Sequence, residues 1–136
     1  MLKLDNYFKI KKLVLAVTFT AIVLILTHIP QESIPSQLLE SGLDKLYHVV
    51  AYGAITFLFI LSLKSSPSLL SSLLFFFAVL AIGVADETTQ PFVNRQASYA
   101  DLAADAISIV TVLLLSAVCK RRFRNTKKRI TKQDKP

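Results

Sequence analysis

The sequence predicts an all-α integral membrane protein, a four-helix bundle with both termini cytoplasmic, and three observations carry that expectation. Hydrophobic residues make up 53% of the 136 and charged residues 18%, below the roughly 25% charge usual for a soluble domain. The uncharged residues are gathered into four apolar runs with short polar connections between them. Charge is also placed unevenly. Residues 120–136 hold nine Lys/Arg and one acid, and residues 1–12 hold four Lys and one Asp. Everything between them holds three basic and seven acidic residues.

The first run, Leu13–Thr27, has no charge and is short of the roughly 20 residues a span needs. Tyr7, Phe8 and Ile10 extend it while neighbouring Lys side chains reach back toward the headgroups. A basic start and apolar middle also suit a signal peptide, but Leu26-Thr27-His28 offers no small-x-small cleavage pattern. An uncleaved span is the reading adopted. Ile29–Gly42, with Pro30 and Pro35, reads as a loop containing a short interfacial helical turn at Ser36–Glu40. Ser41-Gly42-Leu43-Asp44 then reads as a capping box that opens a second span ending near Leu63 and closed by Lys64.

Ser65-Ser66-Pro67 predicts a turn with Ser66 as N-cap and Pro67 at the first helical position. The third span runs from Leu69 to Ala85 and continues into Asp86-Glu87-Thr88-Thr89-Gln90. Pro91 disfavours helical geometry at Gln90 and stops the helix there. Asn94 is suited to a left-handed turn position. Ser98-Tyr99-Ala100-Asp101 repeats the capping-box pattern, and the fourth span follows over Leu102–Cys119. The lone Cys119 excludes an internal disulfide. The organisation is thus a basic cytoplasmic N-terminus (1–12), a four-span membrane domain (13–119) and a basic cytoplasmic tail (120–136).

Lys/Arg in short connections mark the cytoplasmic side. Both termini and the Lys64 turn are therefore inside, and the Ile29–Leu43 and Asp86–Asp101 loops outside. This topology brings the polar residues of spans two, three and four to one face. Asp44, His48 and Tyr52 recur every four residues, as do Asp101 and Asp105, so each set shares a helical face. The site residues are Asp44, Lys45, His48, Tyr52, Glu87, Gln90, Arg95, Asp101 and Asp105.

Asp44 and Asp101 also suit helix N-termini, where a carboxylate favours the dipole, and Tyr52 suits an interfacial aromatic. Asp105 lies a turn inside its span, where a charge demands a partner or a proton. The expectation is that Arg95 folds back to couple with it, directly or through Gln90 or His48. With Asp86 included, five acids against Lys45 and Arg95 leave −3. That balance repels a bare phosphate and attracts an amine, a proton or a divalent cation bridging to phosphate. Carboxylates with one His could bind a cation, but their spacing identifies none, and no cofactor is predicted.

The residues Asp44-Lys45-x-x-His48-x-x-x-Tyr52, Glu87-x-x-Gln90, Arg95 and Asp101-x-x-x-Asp105 resemble the VanZ-like membrane proteins over roughly Asp44–Cys119. Two departures from that family's pattern are Asp105, where Asn is usual and Gly follows three residues later (here Ser108), and Val93-Asn94, where Pro-Gly is frequent. The resemblance implies a small multi-pass protein of the bacterial cytoplasmic membrane, linked to low-level resistance to the glycopeptide teicoplanin and to cell-envelope function. It supplies no catalytic mechanism.

The partners expected are the lipid bilayer and an envelope lipid or lipophilic amine-bearing ligand. A membrane enzyme acting on a lipid-linked headgroup is the second reading, with Glu87, Asp105 or His48 as acid or base. A structural partner of another membrane protein is the third. The sequence lacks Gly-x-Ser-x-Gly, His-Glu-x-x-His and a phosphate-cradling loop. The basic tail, whose one aromatic is Phe123, reads as an anchor on anionic lipid and not as a nucleic-acid arm.

Overall fold

Four helices follow one another in the computed structural model, which describes residues 2–34, 43–63 and 68–133. They are α1 (Leu2–Thr27), α2 (Leu43–Ser62), α3 (Leu69–Thr89) and α4 (Tyr99–Gln133). Each contains a stretch long and apolar enough to cross a membrane: Lys9–Thr27, Leu43–Ser62, Leu69–Val93 and Tyr99–Thr126. The most extensive packing is between α2 and α4, followed by α1 against α2 and α3 against α4.

The bundle is inside out relative to a soluble one. Its fully covered apolar residues are few: Ala16, Val23, Ala51, Tyr52, Ile55, Val79 and Ile109. Its buried polar residues include Thr27, His48, Thr56, Asp86, Glu87, Gln90, Asp101, Asp105 and Ser108. Large apolar side chains face outward on every helix, among them Ile25, Val50, Leu69, Phe77 and Leu114. In water that arrangement would expose the groups whose burial drives folding. In hydrocarbon it is favourable, since polar groups there must be satisfied within the protein.

Small residues let α2 and α4 approach closely, as at other membrane helix contacts. A Cβ on Gly53 would lie 2.8 Å from Ser108 Oγ, and that hydroxyl donates to the Val49 carbonyl at 2.5 Å. The turn between α3 and α4 follows the sequence closely. The α-helix ends at Thr89, a 3-10 turn takes Gln90–Val93 with Pro91 in its first turn, and Asn94 adopts φ 56°. Gln90 nevertheless keeps right-handed helical angles, because the tighter turn tolerates Pro91 where its missing N–H is not needed.

One expectation needs correction. The N-cap of α3 is Ser68, whose hydroxyl accepts from the Ser71 N–H, and not Ser66. The basic N-terminal segment is helical and continuous with the first span in α1. The fourth helix continues beyond the expected span, Leu102–Cys119, to Gln133. At 1.5 Å per residue α4 is about 52 Å long, beyond the roughly 30 Å of bilayer hydrocarbon. Lys and Arg are strong helix formers, so a basic composition does not break the helix. The turn expected at Ser36–Glu40, the Ser41 cap, Lys64 and the Ser66–Pro67 pair lie outside the described residues.

Candidate functional site

The C-terminal ends of α1 and α3 and the N-terminal ends of α2 and α4 meet at one end of the bundle, and the acids gather there. The basic residues of α4 from Lys120 onward lie at the other end, beside Ser72 at the start of α3. Helical spacing explains the convergence. Asp44, His48 and Tyr52 form one row on α2, and Asp101 and Asp105 form another on α4. The two rows face each other across the most extensive helix contact.

His48 is at the centre and is 1% exposed. Its Nδ1 lies 3.0 Å from Asp105 Oδ1. An ionised carboxylate can only accept, so the Nδ1–H of His48 donates to Asp105. Glu87 Oε1 is 3.8 Å from Nε2, too far for a hydrogen bond. The His48 ring stacks parallel to Tyr52 at 6.1 Å and meets Tyr47 edge-on. Gly83 of α3 makes room for the Asp105 carboxylate: a Cβ there would be 2.9 Å from Oδ2 and 3.3 Å from Tyr52 Cε1.

Glu87 ties α3 to α4. Its Oε2 accepts from the Ser98 N–H at 2.7 Å, and its Oε1 accepts from Gln90 Nε2 at 3.2 Å. The Ser98 capping box is therefore only half intramotif. Ser98 Oγ takes the Asp101 N–H at 3.3 Å, but the reciprocal bond to the Ser98 N–H comes from Glu87. Asp101 is left with a buried Oδ1 that has no hydrogen-bond partner among the described residues, as are His48 Nε2, Asp105 Oδ2 and the Tyr47 hydroxyl.

Asp86 occupies a second layer against α1. Thr27 Oγ1 donates to its Oδ1 at 2.5 Å, and the Tyr52 hydroxyl donates to its Oδ2 at 3.3 Å. His28 bridges to Thr89 at 2.9 Å and lies 3.4 Å from Asp86. Reading the sequence alone missed Thr27 and His28. The signal available was their place as the polar pair ending an apolar run on the acidic side.

Arg95 corrects the expected pairing with Asp105. Its guanidinium donates to Asp44 Oδ1 at 2.9 Å and to the Thr27 carbonyl at 3.0 Å. The physical reason is depth. Asp105 is six residues into α4, about 9 Å along the axis, whereas Arg95 precedes that helix and lies level with Asp44 at the start of α2. The described hydrogen bonds instead give Asp105 to His48. Lys45 is exposed, so the cluster is four buried carboxylates and the half-buried Asp44 against the Arg95 guanidinium, a formal −4 with His48 neutral.

Apolar-walled grooves flank this cluster, two of them beside Asp44 and Glu87. One, of about 380 Å³, is lined by Leu26, Ile29, Ile34 and Leu43 and reaches Asp44, Tyr47 and Arg95. The other, of about 410 Å³, is lined by Val84, Tyr99 and Leu102 and reaches Glu87 and Ser98. Phe92 and Tyr99, 86% and 94% exposed, ring the same end, where aromatic side chains suit a membrane interface. No protein-family model matches this chain, and no curated protein or solved structure matches it.

Proposed function

We propose that this chain is a multi-pass protein of a bacterial cytoplasmic (inner) membrane, with both termini inside and the acidic end of the bundle facing out. In this reading that end holds the headgroup of an envelope lipid or a lipophilic amine-bearing compound. The charge of the cluster carries it: four buried carboxylates and half-buried Asp44, against one guanidinium, attract an amine and repel a bare phosphate. The flanking apolar grooves suit acyl chains lying beside such a headgroup. The resemblance of Asp44, Lys45, His48, Tyr52, Glu87, Gln90, Arg95, Asp101 and Asp105 to the VanZ-like pattern supports a role in the cell envelope, with tolerance of teicoplanin-type glycopeptides as its outcome in relatives.

One observation favours the enzyme reading as runner-up. The Asp105–His48 pair, with Nδ1 held at 3.0 Å, orients Nε2 as an acceptor in the manner of a general base. Both readings are tested by identifying the lipids that co-purify with wild type and with Asp105→Ala and Asp101→Asn variants, each first shown to be monodisperse and helical. A lipid class enriched with wild type and depleted in the variants is the expected result. Identical lipid profiles would overturn headgroup binding. Conversion of that lipid on prolonged incubation would favour the enzyme.

A further inference from the structure

Among the described residues, one carboxylate oxygen from each of Asp44 and Asp101 and one ring nitrogen of His48 all lie within 4.8 Å of one another. Paired metal bonds of about 2.1 Å span up to about 4.2 Å, so small side-chain rotations close this group onto a single ion. Acids grouped at a helix end would not alone indicate a ligand. The second observation is the set of buried atoms left open. His48 is 1% and Asp101 4% exposed, yet His48 Nε2 and Asp101 Oδ1 have no hydrogen-bond partner among the described residues. In a low-dielectric interior such unpaired atoms are destabilising. Nothing in the hydrogen-bond network among the described residues offsets that cost.

The distribution of protons sharpens the point. With Nδ1–H committed to Asp105, His48 Nε2 faces Glu87 Oε1 at 3.8 Å, too far for a hydrogen bond. In the neutral ring, Nε2 and that carboxylate together offer electron pairs that a cation between them would accept. The carboxylate–histidine arrangement, in which Asp105 fixes the tautomer and orients the ring, is also the usual support of a metal-bound imidazole. The donor set of one imidazole and several carboxylates suits Zn²⁺ or Mn²⁺ better than Ca²⁺, which takes oxygen ligands.

We propose that Asp44, His48 and Asp101 bind one divalent transition-metal cation, Zn²⁺ or Mn²⁺, with Glu87 beside it and Asp105 as the residue that positions His48. The cation lies between α2 and α4 at the acidic end and joins the two helices that pack most extensively. It goes beyond the headgroup reading without replacing it. A 2+ ion changes the formal −4 of the cluster to −2, which still favours an amine, and it gives a phosphate-bearing headgroup a direct ligand.

The test uses full-length protein in detergent, stripped with chelator and dialysed against Zn²⁺ or Mn²⁺ alone. Metal analysis should find one ion per chain in wild type, and the ion should raise the unfolding midpoint, a readout that needs no variant. Asp101→Asn and His48→Gln should each reduce bound metal to background. Asp86→Asn, whose carboxylate is committed to Thr27 and Tyr52, should retain it. Asp105→Leu should weaken binding about 10–100-fold, as outer-shell losses do, and Asp105→Asn much less, since its oxygen still accepts from Nδ1–H. Wild type with no stoichiometric metal and no midpoint shift would overturn the proposal, as would full binding by folded Asp101→Asn. Lipid retained without metal sinks the cation alone; metal bound without any enriched lipid sinks the headgroup reading alone.

Discussion

Arg95 is the residue whose removal should report most directly on how the acidic end is held together. Its guanidinium joins three elements: its own loop, Asp44 at the start of α2, and the carbonyl of Thr27 at the end of α1. The Arg95 side chain is 9% exposed and that of Asp44 27%. Stranding one member of a fully desolvated pair costs about 3–5 kcal/mol. Partial access to water at Asp44 reduces this, so Arg95→Leu and Asp44→Leu should each destabilise by about 2–3 kcal/mol. Because each single change already removes the shared bond, the double variant should recover about 1–2 kcal/mol relative to the sum. The companion cycle of Arg95→Leu with Asp105→Leu should be additive within about 0.5 kcal/mol, as expected for groups without a common partner. Both cycles are measured by unfolding in one detergent or lipid system. Additivity of Arg95 with Asp44, or stronger coupling of Arg95 to Asp105, would refute the pairing.

Gly83→Ala should destabilise by about 1–3 kcal/mol, the usual range for overpacking, because its Cβ meets Asp105 Oδ2 and Tyr52, both already tethered; a neutral effect on the unfolding midpoint would show that the carboxylate moves freely. Gly53→Ala should be harmful alone and largely rescued by Ser108→Ala, which removes the hydroxyl 2.8 Å from the new methyl; absence of rescue would place the clash elsewhere. Orientation is checked with single Cys probes in a Cys119→Ser background. Ser33 and Gln96 should react with an impermeant thiol reagent in intact cells while Ser65 and Thr126 stay protected, and the reverse pattern would invert the topology.

How far the sequence carried these conclusions depends on the range of the interaction concerned. Helix number, the αL turn at Asn94 and the shared faces of Asp44–His48–Tyr52 and Asp101–Asp105 follow from local rules of period and backbone preference, and all were legible. The partner of Arg95 was not. Loop proximity along the chain suggested Asp105, but the relevant distance is depth along the bundle axis, which places Arg95 beside Asp44. The donor to Glu87 was equally hidden, since a capping box read along one helix gives no hint that another helix supplies the reciprocal carboxylate. How far α4 continues beyond its span was not legible, because hydropathy marks where a span leaves the bilayer, not where a helix stops. Nothing in residues 120–133 breaks one.

The polar interior divides into two parts, and the division bears on whether the acidic end serves only to hold the helices together. Asp86, Gln90 and Arg95 are tied by Thr27, Tyr52, Glu87 and Asp44. That is what a structural network in lipid requires, where no solvent can substitute for a missing partner. His48 Nε2, Asp101 Oδ1 and Asp105 Oδ2 are buried beside them without such partners among the described residues. A chain under selection for stability alone could replace these three with apolar or neutral groups at little loss, since exchanging a buried ionic set for packed side chains is often neutral or stabilising. Their placement on the two facing helices, one layer from a network that is satisfied, puts the stability cost where a ligand would offset it. Substitutions in the satisfied layer should accordingly change unfolding first and binding second, and substitutions at His48 and Asp101 the reverse.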